Sequence, residues 1–85
     1  MKNIVMYTSQ FCPYCSNAEN LLKGKGFNIT VKIYVDQDSE ELSKMIKMTG
    51  RRTVPQIYIS EKHIGGFDEL RKLDVTGELD KMLGI

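Results

Sequence analysis

The chain has 85 residues and a formal net charge of +1, from 12 Lys and Arg against 11 Asp and Glu. Charges of both signs are spread along it. This excludes the clustered basic face of a nucleic-acid binder, and no apolar run approaches the roughly eighteen residues of a membrane span. Length alone predicts one domain, residues 1–85, with a modest core.

Asn3 to Tyr7 reads as a buried strand, apolar and partly β-branched, ended by the polar Thr8-Ser9-Gln10. Cys12-Pro13-Tyr14-Cys15 follows and holds the only two cysteines of the chain. A helix is predicted from Pro13 to about Lys25, with Cys15, Ala18 and Leu22 at helical spacing and glycines at its end. Cys12 then takes the N-cap place and Pro13 the first helical position, where a missing N–H costs nothing. Free N–H groups and the positive end of the helix dipole stabilise a thiolate there, lowering its pKa below that of a free thiol. Cys15 lies on the same helical face, one turn deeper. One sulfur is thus exposed and activated, and the other is placed to attack a mixed disulfide.

Blander roles for the pair fit less well. A structural disulfide across so short a loop gains little entropy. A closed zinc site wants four ligands, and only His63 remains as another soft one, so zinc would have to be shared between chains. Two inert core cysteines sit poorly with Pro13 and Tyr14 between them. A C-x-x-C in a strand-to-helix setting reads as redox chemistry.

Asn28 to Val35 alternates, with Ile29, Val31, Ile33 and Val35 against Thr30, Lys32 and Tyr34, and reads as a strand with two unlike faces. Two strands joined by a helix of this length form a parallel β-α-β unit. After the polar break Asp36 to Ser39, Asp38 and Glu41 fit a capping box for a helix to about Met48. Leu42, Met45 and Ile46 face inward in that helix, Met48 lies at the core edge, and Glu40 and Lys44 form an i,i+4 pair. Pro55 precedes a strand over Ile57 to Ile59, Glu61-Lys62 makes a turn, and His63-Ile64 begins the partner strand of a hairpin. His63 reads as a surface residue. Gly65-Gly66-Phe67-Asp68 enters a helix through Glu69, Leu70 and Leu73, with Asp68 as a candidate N-cap. Asp74 to Leu83 is a last short helix. The order β-α-β-α-β-β-α gives an α/β protein with a four-stranded mixed sheet flanked by helices.

Three separated motifs carry a resemblance. Cys12-Pro13-Tyr14-Cys15, Thr53-Val54-Pro55 before a strand, and Gly65-Gly66-Phe67-Asp68 before a helix resemble, over the whole chain, a dithiol glutaredoxin of the thioredoxin-fold superfamily. The resemblance implies a thioredoxin-like fold and a glutathione-dependent thiol–disulfide oxidoreductase. Cys12 is then the nucleophile and Cys15 the resolving thiol. Tyr14 flanks the glutathione sulfur. Pro55 is cis, and the Val54 backbone beside Thr53 pairs with the cysteinyl unit. Gly66, Phe67 and Asp68 receive the γ-glutamyl end, and Arg52 the glycyl carboxylate. Glutathione carries two carboxylates and one ammonium, and this set offers a cation, helix-start N–H groups and one anion. Arg51 reads instead as a solvated surface charge. Ser9 stands where many members have lysine, and Phe67 where cysteine is common.

The expected partners are glutathione as co-substrate and disulfide-containing or glutathionylated proteins, with no metal, no nucleic acid and no membrane. A monomer in a reducing cytoplasm is expected, since the N-terminus lacks the pattern of a secretory signal. The rival readings are a redoxin reduced by thioredoxin reductase, and an iron–sulfur carrier in which two chains share a cluster through Cys12 and glutathione.

Overall fold

The computed structural model describes residues 3–85. Its elements are β1 (Ile4–Thr8), α1 (Pro13–Gly24), β2 (Val31–Tyr34), α2 (Ser39–Thr49), β3 (Gln56–Ile59), β4 (Lys62–Gly65), α3 (Phe67–Thr76) and α4 (Glu78–Leu83). The sheet order is β2-β1-β3-β4, with β1 parallel to β2 and the other neighbours antiparallel. This topology decides where a site can form. Thr8 pairs with Tyr34 and Tyr7 with Gln56, so the C-terminal end of β1 lies between the C-terminal end of β2 and the N-terminal end of β3. Both chain segments entering that end carry motif residues.

Alternation along the strands divides the core in two. Ile4, Met6, Ile57 and Ile59 point to one face and pack with Ala18 and Leu22 of α1, Leu70 of α3, and Leu79 and Leu83 of α4. Tyr7 points to the other face, where Val35 and Met45 close a smaller cluster with Ile33, Leu42 and Tyr58 around it. Each such side chain buried contributes roughly 1.5–3 kcal/mol, so the larger cluster dominates.

Several local readings are corrected. β2 is four residues long and pairs only with β1, and Val31 is 45% exposed because it lies outside the cluster that covers Ile33 and Val35. Met48 is 59% exposed, with its sulfur 3.8 Å from the Tyr7 hydroxyl. Asp38 Oδ1 accepts the N–H groups of Glu40 and Glu41 at 3.0 and 3.3 Å, but the Glu41 carboxylate turns to Lys44 at 3.4 Å. The capping box is therefore one-sided, and Lys44 pairs with Glu41 rather than Glu40. The hairpin turn is Ser60-Glu61, with φ of 49° and 70°, one residue earlier than its sequence suggests. Two left-handed residues twist the hairpin in the sense its strands require. The break before the last helix is Gly77, at φ 84°, so α3 runs on past Asp74 to Thr76.

Candidate active site

The site is built at the end of β1. Cys12 is extended (φ −134°, ψ 98°) and caps α1, and Pro13 opens the helix. The Cys15 N–H points at Cys12 Sγ across 3.1 Å. Cys12 and Cys15 are joined as a disulfide, with their Cα atoms 5.2 Å apart. Exposure separates the two: Cys12 is half-buried, whereas Cys15 is 4% exposed and belongs to the main core. A partner sulfur approaching from solvent reaches Cys12.

Across from the disulfide, Cys12 Sγ lies 3.8 Å from the Val54 carbonyl oxygen. The Val54–Pro55 peptide is cis. This loop is held from behind. Gln56 is fully buried, and its Nε2 donates to the Thr53 carbonyl at 2.9 Å while its Oε1 lies 2.8 Å from His63 Nε2. Burial, with Arg51 adding to it, moves the His63 pKa below its ordinary value, so the ring is neutral at pH 7 and donates from Nε2. His63 is not a free surface residue. It rests against Tyr58, ring centroids 5.0 Å apart, and fixes the carboxamide that fixes Thr53.

The third wall is the start of α3. Gly66 is its N-cap, and the Gly66 N–H donates to Glu69 Oε1 at 3.0 Å. The same carboxylate pairs with the Arg51 guanidinium. Arg51, and after it the Gly66 N–H, holds the Glu69 carboxyl below the usual carboxylate range. Gly65 is required here, and Gly66 leaves little room to spare. Gly65 has φ +115°, and a Cβ on it would collide with the Glu69 carboxylate; one on Gly66 would lie 3.3 Å from the Pro55 carbonyl oxygen.

These walls enclose a groove of about 310 Å³. Tyr14, Thr53, Val54 and Pro55 line it from the cysteine turn and the β3 loop, and Gly66, Phe67 and Asp68 from the helix start. The Tyr14 and Phe67 rings face each other with centroids 6.5 Å apart. Arg52 is not part of the lining. Arg51, which reads from the sequence as a solvated surface charge, and Glu69, which reads only as a helix residue, both are. Glu69 was legible as the acid three residues after Gly66, the spacing of a capping box, although the box rule is written for Ser or Thr at the cap. No three His, Cys, Asp or Glu side chains converge as metal ligands among the described residues, and no helix among them is long and apolar enough to cross a membrane.

A family model described as glutaredoxin matches residues 4–64. The chain belongs to the glutaredoxin family. It is 45% identical over 83 residues to glutaredoxin 3 of Escherichia coli strain K12, covering 98% of this chain and 99% of that one. It is 43% identical over 83 residues to a glutaredoxin of Neisseria meningitidis serogroup A, covering 98% of each. Among solved structures, a buckwheat glutaredoxin–glutathione complex superposes with a TM-score of 0.87 at 32% identity, over 98% of this chain and 77% of that one. The mixed sheet flanked by helices is thus the thioredoxin-like fold of glutaredoxins. This glutaredoxin keeps the cysteine pair at the helix start and supports its groove through the buried Gln56 and the Glu69 carboxylate.

Proposed function

We propose that the chain is a single-domain, glutathione-dependent thiol–disulfide oxidoreductase that reduces protein disulfides and glutathione mixed disulfides. The observation that carries this is Cys12 at the N-cap, bonded to Cys15 and with its sulfur 3.8 Å from the carbonyl oxygen of Val54, a residue of the groove that runs to Asp68. In the reduced protein, the N–H that points at Cys12 Sγ donates to its thiolate. That thiolate attacks one sulfur of a substrate disulfide and expels the other as thiolate. The mixed disulfide is resolved in one of two ways. Cys15 attacks Cys12, releasing the bound thiol and leaving Cys12–Cys15 oxidised, or a glutathione thiolate attacks the glutathionyl sulfur, releasing Cys12 and forming glutathione disulfide. Two glutathione thiols reduce the internal disulfide by the same exchange.

In the groove, the Val54 backbone pairs with the cysteinyl unit of glutathione, with Thr53 and Pro55 shaping the loop and Tyr14 beside the sulfur. The start of α3 offers N–H groups at Phe67 and Asp68 to the γ-glutamyl carboxylate, and the Asp68 carboxylate takes the ammonium. Gly66 allows the close approach. Arg52 takes the glycyl carboxylate, and Arg51, shared with Glu69, is the cation of the groove wall. The glutathione bound by the buckwheat relative supports this reading. The proposed setting is a monomer in the cytoplasm.

The test is a coupled assay containing glutathione, glutathione reductase, NADPH and the mixed disulfide of glutathione with 2-mercaptoethanol. NADPH oxidation that needs every component is expected. Turnover that ignores glutathione and runs on thioredoxin reductase would replace this reading with the redoxin one.

A further inference from the structure

The glutathione groove occupies only one side of Cys12. The other side is the C-terminal end of β2, and it carries a depression of about 390 Å³ lined by Gln10, Phe11, Tyr34 and Gln37. Phe11 is the residue next to the nucleophilic cysteine, and it is 93% exposed. Tyr34 is 38% exposed, and the two glutamines are exposed. A ring left in water forgoes the stabilisation that burial would supply, and Phe11 packs into neither core cluster.

The patch is also held in place. The Gln10 N–H donates to Asp36 Oδ2 at 3.2 Å, the Val35 N–H to the Thr8 carbonyl at 3.0 Å, and the Gln37 N–H to the Tyr34 carbonyl at 3.2 Å. The loop that presents Phe11 is therefore tied to the segment that presents Tyr34. All four lining residues are uncharged, in a chain that is 27% charged. Two aromatic surfaces edged by carboxamides suit a polypeptide, with the rings taking an apolar side chain and the carboxamides pairing with backbone.

Sheet topology supplies the occupant. The Cys12 sulfur lies 3.8 Å from Val54 of the groove, and on the β2 side Cys12 lines a smaller polar depression together with Gln10 and Tyr34, two residues of the larger one. Glutathione is a tripeptide, and in the reading above the groove with Arg52 takes it whole. A protein disulfide bonded to Cys12 has chain running in both directions from its cysteine, and the Phe11–Tyr34 surface is open to one of those arms.

We propose that the Phe11–Tyr34 depression is the docking surface for the polypeptide arm of protein disulfide substrates, taking an apolar or aromatic side chain close to the reacting cysteine. This rests on the activity proposed above. The chemistry balances without a further reagent: Cys12 displaces one substrate thiolate, Cys15 displaces the other, and two glutathione thiols regenerate the pair as glutathione disulfide forms.

The experiment compares three substrates: two disulfide-cyclised peptides that differ only in Phe or Gly beside one cysteine, and the mixed disulfide of glutathione with 2-mercaptoethanol. The unmodified protein is expected to favour the Phe peptide by about tenfold in kcat/KM, the effect of burying part of one ring. Phe11→Ala and Tyr34→Ala should each bring that ratio toward one, chiefly through KM, and leave turnover of the small mixed disulfide unchanged. An exposed ring such as Phe11 can be removed without cost to the fold. Equal rates for the two peptides with the unmodified protein would overturn the proposal, as would an unchanged ratio in both variants. An equal loss on the small mixed disulfide would overturn it too, by making Phe11 part of the glutathione site. No glutathione-dependent turnover of any of the three by the unmodified protein would instead overturn the activity itself.

Discussion

Asp68 and Glu69 are adjacent acids at one helix start, and their surroundings give them different work. Glu69 receives the Gly66 N–H and the Arg51 guanidinium, whereas Asp68 is exposed on the groove. The cap role that the sequence suggests for Asp68 therefore belongs to Gly66 with Glu69. Asp68→Ala should raise KM for a glutathionylated substrate about tenfold, the loss of one charge-assisted bond. Its thermal midpoint should stay within what about 0.5 kcal/mol allows. A lower midpoint with unchanged KM would make Asp68 structural. Glu69 carries a pH prediction. Its folded pKa is lowered from 4.5, so its contribution is present above that value and lost as pH falls through the folded pKa. The pair is more than a third exposed, which limits the contribution to about 1 kcal/mol. In urea titrations, Glu69→Gln should be less stable than the unmodified chain at pH 7, and the gap should close as the pH falls below the usual carboxylate range. A gap independent of pH would contradict the assignment.

At the level of elements, the sequence was informative wherever the signal was local. The cap at Cys12, the proline at the first helical position, the glycine ending α2 and the glycine pair before α3 are all readable as residue types at fixed offsets. What was not readable depended on neighbours. Val31 and Met48 have core-forming side chains, and only the extent of the facing cluster leaves them exposed. His63 looks like a hairpin surface residue until the hairpin brings it to Gln56, seven positions earlier in the chain, and the Arg51 and Glu69 pair spans 18 positions. Gly65 tests the junction between β4 and α3. Its φ of +115° disfavours any side chain, and a Cβ would displace the Glu69 carboxylate. Gly65→Ala should cost about 1–3 kcal/mol. For a domain of this size that is roughly 4–8 °C of thermal midpoint per kcal/mol, and KM for a glutathionylated substrate should rise as well. An unshifted midpoint would mean that the capping carboxylate is not where α3 needs it.

Taken whole, the molecule uses its larger core to hold two cysteines and a helix start at one end of a four-stranded sheet. Leu70, fully buried, ties α3 to that core. Leu70→Ala should cost about 2–5 kcal/mol by calorimetry, a large part of what so small a domain possesses. A cost below 1 kcal/mol would mean that α3 is positioned by something else. The proposed cycle divides the labour between the exposed and the buried sulfur. The measurement that tests it most directly is the glutathione reductase-coupled rate on the mixed disulfide of glutathione with 2-mercaptoethanol, for Cys12→Ser and Cys15→Ser beside the unmodified chain. Cys12→Ser should be inactive. Cys15→Ser should retain or exceed the unmodified rate, because glutathione itself resolves the Cys12 mixed disulfide and no internal disulfide competes, and it should lose most reduction of a disulfide-cyclised peptide. An active Cys12→Ser beside an inactive Cys15→Ser would reverse the assignment, and full activity in both would remove the pair from the chemistry.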